Sequence, residues 1–144
     1  MADILILNGP NLNMLGVREP HIYGTTTLKD IHLLCDKTAK AFDLEIDFRQ
    51  SNHEGELVTW IQEARGVIRG LVINAAAYTH TSIAIHDALK LLDVPVIEVH
   101  LSNPAERESF RHISFVAPVA AKIIAGQGAP GYALAIEHLA GILE

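Results

Sequence analysis

The chain has a single cysteine, which excludes an intrachain disulfide and any cysteine cluster on a metal. Positive charge is scarce: 11 Lys and Arg stand against 17 Asp and Glu, for a formal net charge of -6. Nonspecific nucleic-acid binding needs a positive surface, so that class is set aside. Long apolar runs are missing, and the longest falls far short of the roughly 20 residues that cross a bilayer. The first residues enter a strand pattern without the basic region and hydrophobic run of a signal peptide, which gives the expectation of a cytoplasmic protein. Neither CxxC nor HExxH occurs, and no two of the 8 histidines are three or four residues apart, so no helical metal pair exists. There is no Walker loop. A phosphate-accepting receiver needs acidic residues at the end of its first strand, and amides stand there instead.

What is present is nearly all core and polar loop. With 144 residues, 49% of them hydrophobic, the chain is expected to form one domain over 1–144 with a buried core. Short apolar runs alternate with helical patterns. Ile4 to Leu7 reads as a strand. Leu28, Ile31, Leu34, Cys35, Ala39 and Phe42 share one helical face. Leu44 to Arg49 alternates as a second strand, and Ser51 with Glu54 has the form of a capping box for the next helix. Leu71 to Asn74 is a buried strand, a helix runs from about Thr81 to Leu92, and Pro95 to Val99 is a fourth strand. Asn103 is placed to cap a short helix opened by Pro104. Ile113 to Val116 reads as the fifth strand, and the remainder as helix broken at Gly126 to Gly131. Such alternation predicts an α/β fold, a flavodoxin-like five-stranded parallel sheet with helices on both faces. Gly126-Gln127-Gly128-Ala129-Pro130-Gly131 matches a dinucleotide-binding spacing, but it is expected to follow a helix, with Pro130 where a new helix should open, so it reads as a loop between helices.

The polar residues fall at strand ends. In open parallel sheets ligands bind outside the carboxyl ends of the strands. The first strand ends in Asn8 and Asn11, the third in Asn74 followed by Tyr78-Thr79-His80, and the fourth in His100-Leu101-Ser102-Asn103. A long polar segment, 8–24, follows the first strand, with Arg18 and Tyr23 near its far end. Connections of that length are commonly functional, and it reads as a lid. His100 can be a core histidine or a general acid, since imidazole titrates near neutrality. Backbone N–H groups at Leu101 and Ser102 beside a helix N-terminus offer a carboxylate cradle, or a plain cap. Arg107 and Arg111 lie one helical turn apart, a spacing equally at home on a solvated surface. Tyr23 as a base would need its phenol shifted from about 10 toward 7, roughly 4 kcal/mol, which a nearby guanidinium favours.

These residues carry a family resemblance. Asn8-Gly9-Pro10-Asn11-Leu12-Asn13-Met14-Leu15-Gly16, Arg18-Glu19-Pro20 and Tyr23-Gly24 resemble the opening of type II 3-dehydroquinate dehydratases. So do Ser51-Asn52-His53-Glu54-Gly55-Glu56, Ala77-Tyr78-Thr79-His80-Thr81-Ser82, Glu98-Val99-His100-Leu101-Ser102-Asn103 and Glu108-Ser109-Phe110-Arg111-His112. The resemblance covers essentially the whole chain. It implies a shikimate-pathway enzyme that turns 3-dehydroquinate into 3-dehydroshikimate by anti elimination through an enolate, with no metal or organic cofactor, assembled as a homo-oligomeric dodecamer built from trimers. It also implies roles: Tyr23 as base, Arg18 beside it, Asn11 holding a water on the enolate, and His100 as general acid supported by Glu98. Asn74, His80 and Arg111 would hold substrate hydroxyls, and the Leu101 and Ser102 amides its carboxylate. Asp87 would reach the site from a neighbouring subunit. The chain carries Ala75-Ala76 where many relatives have Pro-Gly, and His86 where arginine is common.

Overall fold

The structure, a computed structural model, describes residues 2–17 and 19–144, with the side chains of Ile22 and Tyr23 outside that description. Five strands form one sheet: β1 (Ile4–Asn8), β2 (Ile46–Gln50), β3 (Gly70–Asn74), β4 (Val96–His100) and β5 (Lys122–Ala125). Their order is β2-β1-β3-β4-β5 and every pairing is parallel, the flavodoxin-like order expected. The helices are α1 (Pro20–Tyr23), α2 (Leu28–Lys40), α3 (Glu54–Ala64), α4 (Ile83–Leu89) and α5 (Pro130–Leu143).

β1, β3 and β4 are buried along their whole length, so they present apolar side chains to both faces. Alternation divides them. Ile4, Ile6, Val72, Ile97 and Val99 pack with Ile31, Cys35 and Ala39 of α2 and Tyr132, Ile136 and Leu139 of α5. Leu5, Leu7, Leu71, Ile73 and Val96 pack with Leu57 and Ile61 of α3 and Ile85 and Leu89 of α4. Burying each such aliphatic side chain is worth about 1.5–3 kcal/mol. Burial also holds the Cys35 thiol protonated, pushing it up to about 12. Helix α2 opens with a full capping box, in which the Thr27 hydroxyl accepts from Asp30 N–H at 3.2 Å and Asp30 accepts from Thr27 N–H at 3.0 Å.

Several local expectations are corrected. The fifth strand is Lys122–Ala125, not Ile113 to Val116. The Ile113–Val116 segment has strand-forming side chains, but its backbone is bonded to other partners. Its Ile113 and Phe115 carbonyls accept from the Nδ1 atoms of His80 and His86, both at 2.7 Å, and Phe115 N–H donates to the Thr79 carbonyl at 2.8 Å. β5 lies at the sheet edge with half-exposed residues, so its pattern blends into the neighbouring alanines and valines. Gly126–Gly131 consequently follows a strand and opens a helix, with Pro130 at the first helical turn. Ser51 does not cap α3: its hydroxyl accepts from His53 N–H at 2.9 Å, and the cap position belongs to His53. Helix α4 is shorter than expected, starting after Ser82, whose hydroxyl accepts from Ile85 N–H at 2.9 Å. Phe42 lies past the end of α2 and is exposed. No described helix is long and apolar enough to cross a membrane.

Candidate functional site

Parallel strands all end at one edge, so the segments after β1, β3 and β4 meet there although far apart in sequence. A cleft of about 580 Å³, counted out to its open mouth, lies at that edge. Asn11, Asn74, His80, His100, Leu101, Ser102 and Arg111 all line it, with Pro10, Ala76, Pro104 and Arg107. Glu98 is a buried residue behind His100. Asp87 is exposed on α4 and does not line the cleft. Arg18 and the Tyr23 side chain lie outside the described residues.

His100 is 7% exposed and Glu98 1%. The imidazole Nε2 makes a short hydrogen bond with Glu98 Oε2, and the Ser114 hydroxyl donates to the same oxygen at 2.8 Å. The other carboxylate oxygen, Oε1, is buried without a hydrogen-bond partner among the described residues. His80 donates Nδ1–H to the Ile113 carbonyl. Its Nε2 is then an acceptor in the neutral ring. Desolvation is the largest influence on His80 and lowers its pKa, keeping the ring neutral at pH 7. The cleft therefore combines an imidazole that can donate a proton, a neutral imidazole that can accept from a hydroxyl, amide side chains and two guanidinium groups.

The supporting bonds come from remote segments. Tyr132 of α5 is wholly buried; its hydroxyl donates to Asn8 Oδ1 at 2.7 Å and accepts from Asn74 Nδ2 at 3.0 Å. Asn74 Oδ1 accepts from Ala76 N–H at 3.2 Å, so both ends of the amide are oriented. Ala76 holds a left-handed φ of 53, a conformation that costs an L-residue about 1–2 kcal/mol and that glycine adopts freely. Asn8 is thus a structural tie between β1 and α5 and does not line the cleft. At the loop root, Asn11 N–H donates to Asn52 Oδ1 at 3.0 Å, and Gln50 Nε2 donates to the same Asn52 oxygen at 3.1 Å. The carbonyls of Leu101 and Ser102 accept from Gly128 and Gly126 N–H at 3.0 and 3.2 Å. The glycine loop after β5 therefore braces the segment after β4.

Tyr132→Phe removes the hydroxyl shared by the two asparagines. A stability loss of about 1–3 kcal/mol is expected from the stranded buried amides, with a raised KM because Asn74 is freed to turn. Urea unfolding and steady-state kinetics read both, and an unchanged KM would mean that Asn74 does not contact the substrate.

Arg107, which the sequence reading paired with Arg111 but gave no role, also lines the cleft. Its side chain is 13% exposed, and Nη1 lies 3.4 Å from Ser102 Oγ. Its spacing from Arg111 was the available signal, although Arg107 follows one 3-10 turn (Pro104–Glu106) and Arg111 ends the next (Ser109–Arg111), so the two do not share a helix. Among the described residues no three His, Cys, Asp or Glu side chains gather in a metal-holding group.

Comparison with known proteins gives a consistent result. The family model described as dehydroquinase class II matches residues 2–140. The chain is 62% identical over 133 residues to a 3-dehydroquinate dehydratase of Hyphomonas neptunium, covering 92% of this chain and 89% of the relative. It is 58% identical over 141 residues to 3-dehydroquinate dehydratase 2 of Pseudomonas putida, covering 98% and 95%. The solved type II dehydroquinase from Propionibacterium acnes matches with a TM-score of 0.92 at 46% identity, covering 98% of both chains.

Proposed function

The chain belongs to the class II dehydroquinase family, and from that premise we propose that it removes water from 3-dehydroquinate to give 3-dehydroshikimate by anti elimination through an enolate. It is a dehydratase, a carbon–oxygen lyase, of the family that performs this shikimate-pathway step. A proton beside a ketone is too weakly acidic to leave unless the forming oxyanion is stabilised. Tyr23, ionised beside Arg18, takes that proton, and a water held by Asn11 stabilises the enolate oxygen. The departing hydroxyl then needs a proton, which His100 supplies. Asn74, His80 and Arg111 hold ring hydroxyls. The Leu101 and Ser102 amides bind the carboxylate, with Arg107 beside them.

The observation that carries this reading is the convergence of Asn11, Asn74, His80, His100, Ser102 and Arg111 on one cleft, with His100 backed by a buried carboxylate. No residue role requires a metal or an organic cofactor. One catalytic domain over 1–144 follows, supported by a sheet and helical layers drawn from the whole chain. A dodecamer built from trimers, located in the cytoplasm, is part of the proposal, with Asp87 serving a neighbouring subunit's site. Exposed Ile83, 58% accessible and one turn before Asp87 on α4, supports an interface there.

The test is direct. Purified protein with a chelator present is given 3-dehydroquinate, and the near-ultraviolet absorbance of a conjugated enone is followed. The expected result is a steady rise. No change at micromolar enzyme overturns the reading.

A further inference from the structure

We infer that Ser114 is a positioning residue for His100, acting through Glu98; the inference rests on the general-acid reading of His100. Ser114 lies on the segment between β4 and β5, sixteen residues beyond Glu98, and the hydrogen bonds around its hydroxyl leave it one orientation. Ser114 Oγ accepts from Val116 N–H at 3.2 Å and from Ala117 N–H at 3.0 Å. With both lone pairs engaged, its O–H is turned to Glu98 Oε2 at 2.8 Å. The segment is itself clamped by His80 and His86 on the Ile113 and Phe115 carbonyls and by Phe115 N–H on Thr79. The hydroxyl is therefore a fixed donor, not a rotor.

The consequence runs through one oxygen. Glu98 Oε2 accepts from Ser114 and is bonded to His100 Nε2, while Oε1 is buried with no hydrogen-bond partner among the described residues. A buried carboxylate keeps its charge only with such charge-assisted donors. An ionised Glu98 is a pure acceptor, so the proton on the neutral His100 ring belongs on Nε2. Nδ1 is then the atom that delivers a proton into the cleft. When the substrate C–O bond breaks, its electron pair stays on oxygen, which takes the Nδ1 proton and leaves as water. The imidazolium becomes a neutral ring that still donates Nε2–H to Glu98.

Without the Ser114 donor, Glu98 Oε2 loses one of the two bonds that fix it, and the imidazole it orients is aimed into the cleft less firmly. A loosened acid delivers its proton more slowly while the groups that hold the substrate are unaltered.

The experiment compares the steady-state kinetics of wild type, Ser114→Ala and Ser114→Thr with 3-dehydroquinate. For Ser114→Ala we expect kcat about tenfold lower with KM within about twofold. Ser114→Thr keeps the hydroxyl and should return kcat towards wild type. Should Ser114→Ala not fold, Ser114→Cys, similar in shape but a poor donor, carries the same expectation. A Ser114→Ala protein with wild-type kcat, or one whose loss falls on KM, overturns the proposal, as does a threonine variant no better than the alanine one. A wild type inactive on this substrate instead removes the functional reading underneath.

Discussion

A His100→Gln variant should fold normally and lose about a thousandfold in kcat, yet still exchange the substrate proton beside the ketone with deuterium from solvent. Glutamine keeps a donor for Glu98, so the buried carboxylate retains a partner where the imidazole Nε2 stood. It cannot release a proton to the leaving hydroxyl, and general-acid catalysis contributes about 10²–10⁴ in rate. If the reaction passes through an enolate, removing the acid blocks the second step only, and the enolate returns to ketone carrying solvent deuterium. Tyr23→Phe should behave oppositely, losing turnover and exchange together because the first step has no base. Deuterium incorporation read by mass spectrometry or NMR separates the two variants. A His100→Gln protein that neither turns over nor exchanges would place bond breaking at carbon and oxygen in one step, against the enolate. A fully active Tyr23→Phe protein would remove tyrosine from the mechanism.

Periodicity carried β1, β3 and β4 as short apolar runs, β2 as an alternation and the main helices as stripes, because these patterns follow from burial on one or two faces; it missed β5, a half-exposed edge strand, and put a strand at Ile113 to Val116 instead. The cleft residues were legible for a related reason: parallel strands end at one edge, so polar residues at three strand ends must converge. What stayed hidden is the set of ties between distant segments. Nothing near Tyr132 in sequence signals that its hydroxyl bridges Asn8 and Asn74, 124 and 58 residues away. Asn52 stood in a motif, but its grip on Asn11 depends on the register of β2 beside β1. Ile113 to Val116 has strand-like side chains, and only the fold shows its backbone bonded to two histidines. His86 holds the Phe115 carbonyl through Nδ1.

Gly9→Ala should be the most damaging single methyl group in the chain. A Cβ at Gly9 would lie 2.3 Å from the Ala75 carbonyl oxygen and 2.6 Å from its carbon, and both are backbone atoms that no rotamer change can move. The two segments are also bonded there, since Gly9 N–H donates to the Asn74 carbonyl at 2.8 Å. Relief therefore requires the root of the loop after β1 to part from the segment after β3. Overpacking of this kind costs about 1–3 kcal/mol, and more when backbone must shift. The damage reaches the chemistry because Pro10 and Asn11 line one wall of the cleft and Asn74 and Ala76 another. A displacement of about 1 Å at reacting groups costs about a hundredfold, so kcat/KM should fall at least that far even at temperatures where the variant is fully folded. Gly55→Ala is the matched control: it lies in α3 with nothing within 4 Å of its added carbon. There alanine should stabilise by up to about 1 kcal/mol and leave kcat/KM unchanged. Urea midpoints and kinetics on the pair separate a general loss of stability from a wrenched site. A Gly9→Ala protein with wild-type kcat/KM would mean that the contact between these two strand ends does not set the geometry of the cleft.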